Sequence, residues 1–155
     1  MRTDLLKAPQ GARLDGYEAI HRHFRWEVPA HFNMAQVCCG RWAGAPGASK
    51  NIAIQGHSIS GKTSKSFDFL ALQAAANRLS HALQLSGVRR GDRVAIVMPQ
   101  RFETAAAYIA VLQMGAVAMP LSMLFGPDAL QYRLHNSEAV AAVVDGGNLA
   151  AIEGV

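Results

Sequence analysis

Residues 90–125 read Arg90-Gly-Asp-Arg-Val-Ala-Ile-Val-Met-Pro-Gln-Arg-Phe-Glu-Thr-Ala-Ala-Ala-Tyr-Ile-Ala-Val-Leu-Gln-Met-Gly-Ala-Val-Ala-Met-Pro-Leu-Ser-Met-Leu-Phe125. The stretch spells turn, buried strand, buried helix, buried strand. Gly91-Asp92 turns the chain into a strand over Arg93–Met98, whose centre from Val94 to Val97 is apolar at successive positions. A strand apolar on both faces suits the middle of a parallel sheet. Pro99 ends it. Arg101–Met114 is apolar nearly all round, so this helix is covered on more than one side. Gly115 stops the helix, and Ala116–Leu121 gives the next strand. The connection has the length a right-handed crossover requires.

Working toward the C-terminus, Pro127 opens a helix to about Asn136 with Leu130 and Leu134 on one face. Val140–Val144 is another buried strand, and Asp145 ends it. Working toward the N-terminus, the apolar stripe Leu72, Ala75, Ala76, Leu79, Ala82, Leu83 marks a helix, with Gln73, Asn77, Arg78, His81 and Gln84 opposite. Ser66 is its expected cap, with Asp68 in the first turn against the positive end of the dipole. Gly87 stands where a left-handed C-cap is needed. Ile52–Ile54 has the short apolar look of a strand, and Lys62–Lys65 that of a returning one. Pro29 is a boundary, with a helix from about His31 that puts Phe32, Ala35, Cys39 and Trp42 on one face. From residue 66 onward strands and helices alternate. The fold class is therefore α/β, built of βαβ units with mainly parallel strands.

The 155 residues are the size of one ordinary domain; half are hydrophobic and 17% are charged, so the chain can bury a core and is no disordered tail. The net charge of +4 is mild. Arg89, Arg90 and Arg93 cluster at a turn without interleaved aromatics, which reads as a solvated turn and argues against a nucleic-acid partner. The two cysteines, Cys38 and Cys39, are adjacent, a spacing that rarely reaches disulfide geometry; a reducing cytoplasm fits them. Met1–Gly16 carries Arg2, Asp4, Lys7, Arg13 and Asp15 with no apolar core, unlike a secretory signal. Ala105–Phe125 holds no charge and is long enough to span a bilayer. Gln113, Gly115 and Pro120 interrupt it, and a buried helix–turn–strand explains it without a membrane span.

Gly56-His-Ser-Ile-Ser-Gly61-Lys62-Thr63 matches the nucleotide-binding pattern G-x-x-x-x-G-K-T in full. In a true phosphate loop a buried strand precedes the motif and a helix follows it, Lys62 reaches the terminal phosphates and Thr63 holds magnesium. Val140–Val144 with Asp145 imitates the companion metal-binding strand. The competing reading is a hairpin turn rich in Gly and Ser. The preceding strand is short, Gln55 is polar, and the expected helix cap lies beyond the loop. Arg90-Gly91-Asp92 matches an adhesion tripeptide, but a tight turn before a buried strand explains it. His21, His23 and His31, with Cys38 and Cys39, lack the spacing of a metal site. Glu103, Asp92 and Asp128 lie at helix starts and turns, and no two carboxylates are paired for acid–base work.

The flanks carry a resemblance. Trp26-Glu-Val-Pro29, Phe32-Asn-Met-Ala35 and Arg41-Trp42-Ala43 resemble the N-terminal lead of medium-chain and acetyl-type acyl-CoA synthetases, which belong to the adenylate-forming enzymes. Ser66-Phe-Asp-Phe-Leu70 is similar to their Thr-Tyr-x-Glu-Leu segment, with Ser, Phe and Phe at the Thr, Tyr and Glu positions. Leu112-Gln-Met-Gly-Ala-Val-Ala-Met-Pro120 and Leu124-Phe-Gly-Pro-Asp-Ala-Leu-Gln-Tyr-Arg-Leu134 complete the likeness, which runs from about residue 17 to 145.

The resemblance implies an incomplete N-terminal part of a larger adenylate-forming domain, with residues 1–16 a tail and 17–155 the truncated front of that domain. It implies an ATP-dependent carboxylic acid:CoA ligase with a place in fatty acid metabolism. Its cofactors would be ATP, Mg2+ and coenzyme A, and its partners a small carboxylic acid and the remainder of the parent chain. Family members adenylate the acid and then transfer it to the coenzyme A thiol. Their Ser/Thr/Gly-rich phosphate loop ending in Pro-Lys-Gly, acidic magnesium ligand, ribose-binding Asp and catalytic Lys have no counterpart in these 155 residues. The chain by itself is thus expected to be inactive, with no catalytic residue in it. Phe125 and Gly126 fall where the acetyl-type branch approaches the coenzyme A nucleotide, although Gly126-Pro127 also reads as a plain turn before a helix. That branch places arginines just after the next strand, and Gly146–Ile152 has none. The alternatives are a non-catalytic α/β binding or interaction module and a phosphate-loop protein using Gly56–Thr63.

Overall fold

The computed structural model describes residues 16–25, 29–57, 64–153 and 155. The chain divides into two compact units, Met1–Phe32 and Asn33–Val155. In the first, α1 (Tyr17–His23) carries an exposed Arg22–Glu18 pair and a stacked Tyr17–His21 ring pair. The second unit contains everything that follows.

It opens with a π-helical turn, Gln36–Gly40, running into α2 (Arg41–Ala43). The expected start at His31 moves to Met34, because Asn33 supplies the cap: its Oδ1 accepts from the Gln36 amide at 3.1 Å. Ala35 and Cys39 share the buried face as expected, while Phe32 is exposed. Wide π geometry brings Gln36 over Gly40, and a Cβ there would run into the Gln36 side-chain amide.

A hairpin follows, β1 (Ile52–His57) against β2 (Ser64–Asp68), antiparallel with Gly56 opposite Lys65. This corrects the expected cap at Ser66. The chain stays extended through Asp68, and α3 (Phe69–Leu85) begins one residue later. Asp68 is the cap, accepting the Ala71 amide on Oδ1 at 2.7 Å. β-Pairing holds Ser66 opposite Gln55, so a cross-strand partner outweighs the local capping preference.

The parallel sheet has three strands, β3 (Arg93–Val97), β4 (Val117–Pro120) and β5 (Ala141–Val144), in the order β4-β3-β5. β3 is central, which explains its unbroken apolar run: Val94, Ala95, Ile96 and Val97 are all buried. Full burial of each valine or isoleucine is worth on the order of 1.5–3 kcal/mol. The first crossover, α4 (Phe102–Gln113), runs from β3 to β4. The second, α5 (Pro127–Ser137), returns past β3 to β5. Right-handed crossovers in opposite lateral directions put α4 and α5 on opposite faces of the sheet. A short helix, α6 (Leu149–Ile152), ends the described chain after a 3-10 turn at Gly146–Asn148.

Two core clusters explain why α4 is apolar all round. Its Ala107 and Val111 face the sheet with Val94, Ile96 and Leu83. Its Ala106, Ile109 and Ala110 face Leu72 and Ala76 of α3 and Cys39 of the π-turn. Alanines at the α3–α4 contact bring the backbones close enough for Ser80 Oγ to donate to the Ala110 carbonyl at 3.0 Å. No described helix is long and apolar enough to cross a membrane; the uncharged run from Ala105 is split between α4, β4 and the bend after it.

Candidate functional site

In an open α/β sheet, ligands gather at the carboxyl ends of the strands where the strand order reverses. Here that switch falls between β4 and β5, on either side of β3. Three segments meet that edge: Met98–Arg101 after β3, Leu121–Gly126 after β4, and Asp145–Asn148 after β5. Main-chain bonds extend the ladder into them, with Leu121 donating to the Ile96 carbonyl at 3.0 Å and Asp145 to that of Val97 at 3.2 Å.

Asp145 organises the β5 side. Its Oδ1 accepts the Gly147 amide at 3.0 Å and its Oδ2 pairs with the Arg101 guanidinium, joining the ends of β3 and β5. Arg101 is 44% exposed, so solvent screening holds the pair to roughly 0–1 kcal/mol. Its effect is geometric: one arginine takes a place at this edge although Gly146–Ile152 supplies none. Next to it, the buried Nδ2 of Asn148 has no hydrogen-bond partner among the described residues, an unmet donor that costs about 1–3 kcal/mol.

The β4 side holds the two residues expected near a ligand. Phe125 is half-buried, and the Arg133 guanidinium lies over its ring at 4.0 Å. Gly126 is the N-cap of α5, its carbonyl accepting from the Leu130 amide at 3.0 Å, with Pro127 at the first helical position. A Cβ on Gly126 would meet nothing within 4 Å, so the turn leaves open space beside Phe125. Both the plain turn and a ligand approach fit this arrangement.

The phosphate-loop reading does not survive the fold. Ser58–Thr63, including Lys62, lie outside the described residues, but the motif is flanked by antiparallel β1 and β2 and is followed by a strand instead of a helix. No helix N-terminus therefore opens at Ser64 to receive a phosphate. At the Arg90-Gly91-Asp92 tripeptide, Gly91 has φ +87° and donates to the Gly115 carbonyl at 3.0 Å, while Asp92 Oδ2 accepts from the Arg89 amide at 2.7 Å. It is the tight turn that the sequence suggests. Among the described residues no three His, Cys, Asp or Glu come together as a metal site; the His23 side chain lies outside them. Cys38 is exposed and Cys39 buried, both as free thiols. Burial pushes the Cys39 thiol above its usual pKa, and the neighbouring Cys38 adds to the rise.

Sequence reasoning missed the Arg101–Asp145 pair and an amide network on the supposed solvent face of α3. Gln73 Nε2 donates to Asn77 Oδ1 and to Gln113 Oε1, each at 2.8 Å, and Asn33 Nδ2 donates to the Leu112 carbonyl at 3.2 Å. These groups border a groove of about 720 Å³ beside the π-turn. The partners that join different elements, Gln73 with Gln113 and Asn33 with Leu112, are 40 and 79 residues apart, and no local pattern announces them.

A parallel sheet with crossover helices and a reversal at the central strand defines an open α/β architecture, in which ligands sit at the carboxyl ends of the strands. The profile of the AMP-binding enzyme family matches residues 43–154. The acetyl-coenzyme A synthetase of Magnetococcus marinus is 32% identical over 126 residues, which are 81% of this chain and 19% of that protein. The mitochondrial acyl-coenzyme A synthetase ACSM3 of Mus musculus is 30% identical over 147 residues, 90% of this chain and 24% of the relative. The crystal structure of the Brucella canis acyl-CoA synthetase superposes with a TM-score of 0.73 at 27% identity, over 81% of this chain and 22% of that one. The chain belongs to the AMP-binding enzyme family. It spans about a fifth to a quarter of the length of these relatives.

Proposed function

We propose that these residues, from about 17 to 155, are the N-terminal portion of an adenylation domain in an ATP-dependent carboxylic acid:CoA ligase. The observation that carries the reading is the family match over 43–154, supported by the likeness to acetyl- and acyl-CoA synthetases. A carboxylate is a poor electrophile, and ATP, when bound with Mg2+, supplies the AMP leaving group that coenzyme A later displaces. A small carboxylic acid is the substrate, fatty acid metabolism the setting, and the rest of a parent chain the partner. Two free thiols suit a reducing, cytoplasmic compartment.

What these residues contribute is scaffold and edge. The β4-β3-β5 sheet fixes three loops at one rim, Asp145 and Arg101 tie two of them together, and Phe125 offers its ring for a coenzyme A nucleotide. One face of that ring is stacked by Arg133, and the open space at Gly126 admits a ligand close to the main chain. The phosphate-binding loop and catalytic lysine of the family have no match in this sequence, so the adenylation chemistry falls to residues outside it.

The test is ATP–pyrophosphate exchange with a panel of short and medium carboxylic acids. The 155 residues alone show no acid-dependent exchange under this proposal. Exchange above the protein-free rate would contradict it. In a longer protein that contains these residues and forms thioester, Phe125→Ala raises KM for coenzyme A while exchange stays unchanged.

A further inference from the structure

The two edges of the parallel sheet are built differently. β4 and β5 flank β3, so each leaves one side unpaired among the described residues. Successive residues of a strand in a parallel ladder turn their main-chain groups to alternate sides. In β4, Val117 donates to the Asp92 carbonyl and Leu121 to that of Ile96, which turns Ala118 and Pro120 outward. Pro120 has no amide hydrogen, so this edge presents a broken row of donors. In β5, Val140 donates to the Arg93 carbonyl, which turns Ala141 and Val143 outward with both amides intact. The strand reads Ala-Ala-Val-Val, without the charge or proline that guards an exposed edge.

Beside the β5 edge lies a groove of about 280 Å³, bounded by Leu134 and His135 of α5, Val140 and Ala142 at β5, Ile152 of α6 and Val155 beyond it. All but His135 are apolar, and Val140 is 57% exposed. The handedness of crossovers says which way the sheet grows from here. α6 packs against α5 and so starts on the same face of the sheet. The β3–α5–β5 crossover moves sideways on that face from β3 to β5. A second right-handed crossover on the same face moves in the same direction, past β5 and away from β3. A parallel crossover takes about a dozen residues or more, so the strand it delivers lies beyond Val155.

We propose that the free edge of β5 and the groove beside it receive a parallel strand from the part of the parent chain that follows these residues. This rests on the ligase reading, in which the chain is the front of a protein as long as its relatives, of which it spans about a fifth to a quarter. The incoming strand bonds to the outward main-chain groups of Ala141 and Val143, and apolar side chains on one of its faces cover Val140 and the groove.

The test is residue-resolved amide hydrogen exchange on the 155 residues alone and on the longer protein that contains them, with thioester formation assayed on that longer protein. Exchange at Ala141 and Val143 is expected to be fast in the chain alone and slower by about two orders of magnitude or more in the longer protein. Fast exchange at both amides in a longer protein whose β3 amides are protected would overturn the proposal. If that protein still forms thioester, the ligase reading stands without it; protected amides in a protein that forms none sink the ligase reading alone. Protection of both amides in the chain alone, growing with its concentration, would assign the edge to a second copy and overturn the proposal too. Val140→Asp is expected to leave Tm of the chain alone nearly unchanged and to lower that of the longer protein, where the strand would bury the new charge. No loss in the longer protein would contradict the docking.

Discussion

Three helices here end in the same hydrogen-bonded motif, and one of them breaks the usual residue preference. After α3, Val88 donates to the Leu83 carbonyl and Gly87 to that of Gln84; after α4, Ala116 donates to Val111 and Gly115 to Leu112. After α5, Ala139 donates to Leu134 and Glu138 to His135. These are Schellman closures, which require a left-handed residue just past the helix. Gly87 and Gly115 occupy it with φ of +96° and +72°, but at the third helix the position is Glu138, φ +52°. Exchanging the residue types should therefore have unequal effects: a loss at Gly115 and a smaller change of either sign at Glu138. Gly115→Ala introduces the left-handed penalty of about 1–2 kcal/mol. Its new Cβ meets only the flexible Arg90 side chain, at 3.1 Å. Glu138→Gly removes a similar penalty, offset by the greater chain entropy of glycine, about 0.5–1 kcal/mol. It also forfeits the Arg93–Glu138 ion pair, worth roughly 0–1 kcal/mol because Glu138 is 82% exposed. Arg93 keeps its 2.6 Å bond to the Ser137 carbonyl. The net effect of Glu138→Gly lies between about −1 and +1.5 kcal/mol. At roughly 2–4 °C per kcal/mol for a chain of this size, Gly115→Ala lowers Tm by about 2–8 °C. Glu138→Gly changes Tm by between about −4 and +6 °C. Thermal unfolding by circular dichroism reads both. A Glu138→Gly loss as large as that of Gly115→Ala would refute the reasoning, because the side chain and not the backbone would then govern that turn.

Further tests follow from the cap, the thiols and the core. Asp68→Ala costs about 0.5–2 kcal/mol by urea denaturation, while Ser66→Ala is nearly silent; the reverse ranking would restore Ser66 as the cap. Under native conditions a thiol reagent modifies one cysteine rapidly, Cys38, and reaches Cys39 only on unfolding; two fast equivalents would contradict the buried position of Cys39. The raised Cys39 pKa has a linked consequence. The folded state holds that proton more tightly than the unfolded state, so its contribution is fully present below the unfolded value, near 9.0, and is lost as pH rises through the folded value. Cys39→Ala removes this alkaline decline, which a denaturation series above pH 9 would detect. Leu130→Ala, at a fully buried side chain of α5, costs about 2–5 kcal/mol; a loss under 1 kcal/mol would mean that α5 does not pack on the sheet.

The β3–α4–β4 unit was legible because its signals are local: a doubly apolar strand, a helix apolar on two faces, and glycine where the chain must turn left-handed. The limits of α3 were less so. Lys65-Ser-Phe-Asp68 has an alternation that suits a strand and a Ser and an Asp that each suit a cap. Only pairing with β1 decides between them, and that partner lies across the hairpin. The complete nucleotide-binding pattern at Gly56–Thr63 misleads for the same reason, since it specifies residue types and not the direction of the strand that follows. Arg101 and Asp145 meet across 44 residues because α4, β4 and α5 intervene in the chain but not in space. The chemistry of such a rim is set by strand order, which no stretch of sequence states by itself.

The measurement that tests the central claim most directly is the nucleotide sequence of the native reading frame beyond the codon for Val155. The account predicts several hundred further codons that soon encode a Ser/Thr/Gly-rich loop ending in Pro-Lys-Gly. A stop codon directly after Val155 would contradict it and leave a non-catalytic α/β module in its place.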